Sequence, residues 1–244
     1  MGLFGFYRFG IIFQVIAIIH FIRRRPDGYW LWIILLGPSG IGALAYIVVE
    51  VLPDLGLLRQ GLVIFSHRKR ITALEMMVLD NPSAGNYEEL ADLYLEQRKY
   101  QRAKECYDRA ISSRTDSPDP FYRRALCEIE LGDFPNAATD LERVTTKDRN
   151  YDYQRAAGLL AHAWANTGRQ EQALALFEQV TQTSTLSETQ YNYAQLLAAQ
   201  GKLAEARQWV QKIANKKATM PGYLKRRERP WFRRAAALLK RLPA

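Results

Sequence analysis

AKECYDRA at residues 103–110, AATDLERV at 137–144, ALALFEQV at 173–180 and ARQWVQKI at 206–213 are the segments that decide how this 244-residue chain reads. Each opens on alanine, has a large apolar residue four positions on and a small or aliphatic residue three further: Ala103-Tyr107-Ala110, Ala137-Leu141-Val144, Ala173-Phe177-Val180 and Ala206-Val210-Ile213. That spacing puts the three residues on one face of a helix. The leading alanines lie 34, 36 and 33 residues apart, so the chain holds an array of equivalent units.

A turn precedes each of these helices: Arg98-Lys99-Tyr100, Gly132-Asp133-Phe134, Gly168-Arg169-Gln170 and Gly201-Lys202-Leu203. Three carry glycine, which takes the left-handed conformation that ends a helix at no steric cost. Upstream, Tyr87-Leu90-Ala91-Tyr94, Phe121-Ala125, Ala157-Leu160-Ala161-Trp164 and Tyr193-Ala194-Leu197 again have helical spacing. Each unit is therefore helix, turn, helix. In these aromatic, small, glycine and alanine positions the chain resembles the tetratricopeptide repeat family, whose period is about 34 residues. Four units are expected, at 84–117, 118–153, 154–186 and 187–215, in an all-α solenoid. The pattern departs at Arg98, where glycine is usual, and at Arg124 and Glu128, where large apolar residues are usual.

The resemblance implies an inner surface lined by the first helix of each unit. Carried over position by position, that lining comprises Glu88, Asp92, Tyr122, Leu126, Arg155, His162, Tyr191 and Gln195, and implies a groove for a protein or peptide. Family members that clamp a carboxy-terminal carboxylate use Lys and Asn where this chain has Glu88 and Asp92, so chaperone-tail binding is not expected.

The net charge of +9 is unevenly spread. Residues 84–215 hold 16 Lys+Arg against 19 Asp+Glu, whereas residues 216–244 hold 10 against 1 and residues 1–83 hold 8 against 5. Cys106 and Cys127 read as small buried residues, with a disulfide as the alternative. No Cys/His cluster has metal-ligand spacing, and no cofactor is expected. The histidines, His20, His67 and His162, have no catalytic partner identifiable from sequence, so no catalytic residue and no enzymatic activity is expected.

Outward from the array, Leu3–Ile22 and Tyr29–Val51 are two apolar runs joined by Arg25-Pro26-Asp27-Gly28. A bilayer crossing takes about 20 such residues, so residues 1–54 are expected to form a transmembrane hairpin, with Tyr29, Trp30 and Trp32 at the interface and a bend at Pro38. With Arg23-Arg24-Arg25 before Tyr29-Trp30-Leu31-Trp32 and then Gly42-Ala43-Leu44-Ala45-Tyr46, the segment resembles the amino-terminal membrane domain of bacterial cardiolipin synthases of the phospholipase D superfamily. The catalytic His-x-Lys-x4-Asp motif of that family is not reproduced: His67-Arg68-Lys69 meets Leu74 at the Asp position, and no second copy follows. Charge near the second run (Arg59, Arg68, Lys69 and Arg70, with Arg8 at the start) slightly favours an array on the cytoplasmic side of a multi-pass inner-membrane protein. Residues 55–83 would be a juxtamembrane connector, Pro53–Phe65 lying on the membrane surface or packed on its neighbours, followed by a helix over Ile71–Leu79.

Residues 216–244 are a basic amphipathic end. On a helix from about Trp231 to Leu242, Trp231, Ala235, Leu238, Leu239 and Leu242 share one face, suited to capping the last unit. Arg233, Arg234, Lys240 and Arg241 face the other way and, with Arg68, Lys69 and Arg70, form the candidate contact with anionic membrane lipid. Nucleic acid is the weaker partner class, because Trp231 and Phe232 are the only close aromatics and no binding motif accompanies them. The expected function is a membrane-anchored adaptor that binds a protein or peptide partner in its groove. The alternative is a non-catalytic accessory subunit in envelope or phospholipid metabolism, acting through the hairpin.

Overall fold

The computed structural model describes residues 3–24, 28–36, 40–51, 56–112 and 115–243. Its elements are helical, with no strand among the described residues, and it divides into two compact units, residues 1–72 and 73–244.

In the first unit, α1 (Leu3–Arg24) packs against α2 (Tyr29–Leu36) and α3 (Ile41–Tyr46), after which the chain makes one π-helical turn, Ile47–Val51. Ala17, Trp30, Ile34, Ala43 and Tyr46 form the small core. Polar groups on α1 point into the packing: Gln14 Nε2 donates to the Ile34 carbonyl at 3.3 Å, and His20 Nδ1 lies 2.8 Å from the Tyr46 hydroxyl. A Cβ on Gly40, whose φ is +82°, would sit 2.7 Å from the Gly10 Cα, so glycine is what lets the chain turn against α1 here. Ile11, Val15, Ile19, Trp32 and Leu36 are among the apolar side chains left exposed.

The expectation of two transmembrane segments, and with it a multi-pass inner-membrane location with a cytoplasmic array, is overturned. Among the described residues no helix is long and apolar enough to cross a membrane. The second run shows why. Its apolar residues are shared among an eight-residue helix, a six-residue helix and a π-helical turn. Eight residues rise only about 12 Å, against a hydrocarbon core of about 30 Å. The turn at Arg25-Pro26-Asp27, the bend at Pro38 and the start of the connector at Pro53-Asp54-Leu55 lie outside the described residues. The connector and the helix expected after it form one helix, α4 (Gly56–Asp80).

In the second unit the helices alternate as α5 (Ala84–Glu96) and α6 (Tyr100–Ala110), α7 (Asp119–Leu131) and α8 (Phe134–Lys147), α9 (Arg155–Asn166) and α10 (Gln170–Thr181), and α11 (Ser187–Ala199) and α12 (Leu203–Thr219), with α13 (Gly222–Leu239) last. Each pair packs antiparallel across its turn, and each second helix packs on the next first helix. The leading alanines 103, 137, 173 and 206 are fully buried, as are Tyr107, Leu141, Phe177 and Val210. A methyl side chain lets neighbouring helices approach, and the large residue one turn on fills the interior; complete burial of such a side chain stabilises by roughly 1.5–3 kcal/mol. Gly132, Gly168 and Gly201 end their helices at φ of 79°, 84° and 79°, and Arg98 makes the same left-handed turn at 58°.

The final helix starts nine residues earlier than the Trp231 boundary and runs through Pro230. Phe232, Ala235 and Leu242 join the last apolar cluster with Tyr193, Leu197, Val210 and Ile213, while Leu238 and Leu239 pack on its edge. α13 thus covers the apolar end of the fourth pair.

Candidate partner-binding groove

The first helices of successive pairs lie beside one another, α5 against α7 and α9 against α11. Their shared face carries a ladder of polar contacts that bridges one pair to the next. Asp92 accepts from the Tyr107 hydroxyl at 2.5 Å and pairs with Arg123 Nη1 at 3.1 Å. The Tyr122 hydroxyl donates to Asp152 Oδ2 at 2.5 Å and accepts from Arg155 Nη1 at 3.4 Å. Arg155 Nε in turn donates to Glu188 Oε2 at 2.7 Å. The Tyr151 hydroxyl donates to Asp119, and its ring meets the Tyr122 ring at 4.9 Å in an edge-on arrangement.

These contacts surround an open pocket of about 460 Å³ lined by Leu95, Leu126, Tyr122, Arg123, Asp119 and Tyr151, with Asp152 at its rim. One wall is aliphatic, and the others offer aromatic edges and both signs of charge. Asp152, at the rim, opens a run of three left-handed conformations, Asp152, Tyr153 and Gln154 at φ 49°, 53° and 66°, none of them glycine. Such residues cost roughly 1–3 kcal/mol each unless their surroundings hold them. Here Gln154 Nε2 donates to Asn150 Oδ1 at 3.2 Å, Thr183 Oγ1 donates to Gln154 Oε1 at 2.7 Å, and Asp152 is held by Tyr122. Tyr153 between them is 89% exposed.

Burial and the neighbouring carboxylates push the Tyr122 phenol above its ordinary range, against the opposing pull of Arg155. The Tyr151 hydroxyl bond holds Asp119 below the usual carboxylate value. Burial and the nearby Asp92 raise Glu88.

Of the residues expected to line the groove, Tyr122 and Leu126 line this pocket, and Arg155 touches it only through the Tyr122 hydroxyl. Glu88 and Asp92 lie half-buried on α5, Asp92 already engaged by Tyr107 and Arg123. His162 sits edge-on to Phe134 at 5.5 Å, and burial, aided by the charge of Arg234, brings its pKa down to about 4. Tyr191 lies 5.8 Å from the Trp231 ring, and Gln195 is exposed. Arg234 stacks over Trp231 at 4.6 Å, so it belongs beside Tyr191 and Trp231 and not on a separate outward face. Arg233, Lys240 and Arg241 are exposed on or just beyond α13, as are Arg68, Lys69 and Arg70 on α4. Sequence reasoning misses Arg123, Asp119, Tyr151 and Asp152. The signal available is the recurrence of a Tyr or Arg one helix away from an acidic residue about one repeat on.

Among the described residues no group of three or more His, Cys, Asp or Glu is placed to hold a metal, and Cys106 and Cys127 are free thiols, Cys127 buried. What this face offers is shape, apolar contact and fixed charge: the equipment of a helical-repeat scaffold.

Family models described as tetratricopeptide repeat match residues 88–148, 122–185 and 187–212, together just over half of the sequence. The chain belongs to the tetratricopeptide-repeat family, whose members are generally non-catalytic scaffolds for protein interactions. No curated protein matches it. Among solved structures it is similar to YrrB, described as a tetratricopeptide-repeat protein with an unusual peptide-binding site (19% identity, TM-score 0.54, 67% of this chain and 84% of that one). It is also similar to a MamA protein (14% identity, TM-score 0.55, covering 67% and 90%). A third such structure is a thermophilic tetratricopeptide-repeat protein of Thermus thermophilus (17% identity, TM-score 0.52, covering 75% and 96%). At these identities the likeness concerns the fold. The family matches all fall within 88–212, and nothing in them supports the resemblance of the N-terminal segment to cardiolipin synthases.

Proposed function

We propose that the chain is a non-catalytic scaffold whose first helices, α5 to α11, receive a segment of a protein partner. The observation that carries this reading is the open pocket beside Leu126. Its aliphatic wall of Leu95 and Leu126 suits an apolar side chain, and Arg123, Asp119 and Asp152 around it suit polar or charged groups on either side of that anchor. Tyr122 and Arg155 are held by Asp152 and Glu188, so they preserve the shape of the pocket and lose little freedom when a segment binds. In this reading Glu88, Asp92, His162, Tyr191 and Gln195 extend the same face toward its two ends. The description of YrrB as having a peptide-binding site agrees with this use of the fold.

The test is selection of peptides from a random displayed library on the full chain, followed by titration of the selected peptides against Leu126→Asp. Leu126 is half-buried on the groove side, so the substitution should leave the melting temperature within a few degrees and weaken the selected peptides at least about ten-fold, by burying a charge against an apolar anchor. Undiminished binding to Leu126→Asp would remove the pocket from the groove.

A further inference from the structure

We propose that a second site lies at the other end of the array: the cleft between the end of α12 and the first half of α13 binds an anion bearing several phosphoryl groups in a row. The cleft has a volume of about 520 Å³, and Lys217, Lys225, Arg226, Arg229 and Arg233 line it together with Phe232. Among the described residues five cations and no carboxylate line this space.

The cations are also unbalanced. Elsewhere in the unit four arginines are matched by carboxylates: Arg123 by Asp92, Arg124 by Asp140 and Asp108, Arg155 by Glu188, and Arg169 by Glu142. Among the described residues none of the five cleft cations makes an ion pair; Lys225 Nζ reaches only the Ala218 carbonyl, at 3.4 Å. The one carboxylate in residues 216–244, Glu228, is 8% exposed, and its charge acts on Lys216. Lys225 and Arg229, Arg226 and Arg229, and Arg229 and Arg233 stand three or four residues apart on α13, a spacing at which like charges oppose the helix. The first turn of α13 holds no acidic residue to offset them. Without a counter-anion the arrangement only costs stability. A bound anion converts it into a gain.

The geometry selects the kind of anion. From Lys225 to Arg233 the helix rises about 12 Å, so the cations address more than one phosphoryl group at once. Three of the five are arginines, whose planar forks grip phosphate oxygens in pairs. Among the described side chains of the cleft the one aromatic ring, Phe232, is 8% exposed and packed into the apolar cluster, so it offers no face for a base to stack on. Trp231 is occupied beside Tyr191. The site thus reads phosphates, either as a free inorganic chain or as the triphosphate of a nucleotide.

The experiment is calorimetric titration of the full chain with sodium tripolyphosphate, orthophosphate, adenosine triphosphate and a uridine oligomer. Tripolyphosphate should bind saturably, one per chain, and orthophosphate far more weakly. Equal affinity for tripolyphosphate and the nucleotide assigns recognition to the phosphate chain alone, and tighter binding of the nucleotide assigns the natural source to nucleotides; both support the site. Arg229→Ser with Arg233→Ser should weaken tripolyphosphate about a hundred-fold, roughly ten-fold for each charge-assisted hydrogen-bonding group removed. Lys240→Ser with Arg241→Ser removes the same charge from outside the cleft and should leave the affinity within about three-fold, as for exposed charges generally. All four residues are exposed, so both variants should melt as the parent does. Absence of saturable binding, equal weakening in the two variants, or preference for the uridine oligomer over tripolyphosphate would overturn the assignment, the last in favour of nucleic acid.

Discussion

The second helical pair solves with charges a packing problem that the other three solve with apolar side chains. Aligned on the leading alanines, Arg124, Glu128 and Asp140 occupy the positions of Leu90, Tyr94 and Cys106 in the first pair, Leu160, Trp164 and Leu176 in the third, and Tyr193, Leu197 and Trp209 in the fourth. Arg124 grips Asp140 through Nε and Nη2, both at 2.7 Å, and reaches Asp108 at 2.9 Å. Glu128 lies 3.9 Å from Arg124 and 3.8 Å from Lys104, and is 2% exposed. The helices nevertheless keep the same order and turns. The repeat geometry therefore rests on the buried alanines and the left-handed turns, and the slot between them accepts any set of side chains that satisfies itself. The two solutions should differ in how they fail.

An apolar slot weakens in proportion to what is removed from it. An ionic slot leaves unpaired charge behind. Arg124→Ala would strand Asp140, nearly buried and gripped by two of the guanidinium nitrogens, and should lower unfolding free energy by about 3–5 kcal/mol, measured by urea denaturation with an unchanged m-value. A loss below about 1 kcal/mol, the range of exposed ion pairs, would mean that water reaches the slot and that the contrast between the pairs is only one of composition.

A smaller effect distinguishes the slots by pH. Burial, and next to it the charge of Asp140, raises Glu128 from its ordinary value to about 8, against the lowering pull of Arg124 and Lys104. One of its oxygens, Oε2, has no hydrogen-bond partner. A carboxyl whose folded pKa lies above its unfolded one favours the fold while protonated in it. That contribution is complete below the unfolded value near 4.5 and is lost as pH rises toward 8. Below about pH 6.5 the lowered His162 makes stability rise with pH and offsets this loss, so the decline should show from about pH 6.5 to pH 8, and Glu128→Gln should flatten it while leaving the helical content unchanged. A decline of the same size in Glu128→Gln would place its origin in another group.

The same contrast governs what the residues alone disclose. The array is legible because alanine at intervals of 34, 36 and 33 and glycine at three of four turns are local requirements, visible without knowing their neighbours. Leu126 and Tyr122 can be placed on a common face for the same reason. The rest of the pocket cannot, because Tyr151 and Asp152 stand at the start of a run of three left-handed residues, 152–154, that carries no glycine to announce it. Arg124 and Glu128 register only as departures; their meaning depends on Asp140, in the next helix, and on Asp108 and Lys104 in the preceding pair. The second apolar run, Tyr29–Val51, misleads for the opposite reason. Its hydropathy is continuous, but its described residues are divided among α2, α3 and a π-helical turn, and the close approach of Gly40 to Gly10 beside them is a tertiary fact.

The first turn offers the finest test of whether geometry or composition sets the repeat. Arg98 takes φ 58° where its counterparts are Gly132, Gly168 and Gly201, and it keeps the closing bonds: Arg98 N donates to Leu95 O at 2.9 Å, and Lys99 N to Tyr94 O at 2.9 Å. The matching bonds at Gly132 run from Gly132 N to Ile129 O and from Asp133 N to Glu128 O. The left-handed conformation costs a side-chain-bearing residue roughly 1–2 kcal/mol, and glycine avoids that but gives up more freedom on folding. Arg98→Gly should then stabilise the array by about 0.5–1 kcal/mol, read as a rise of a few degrees in melting temperature. A destabilisation of that size would show that the Arg98 side chain itself holds the turn, and that the first pair differs from its neighbours in more than the residue chosen to make one bend.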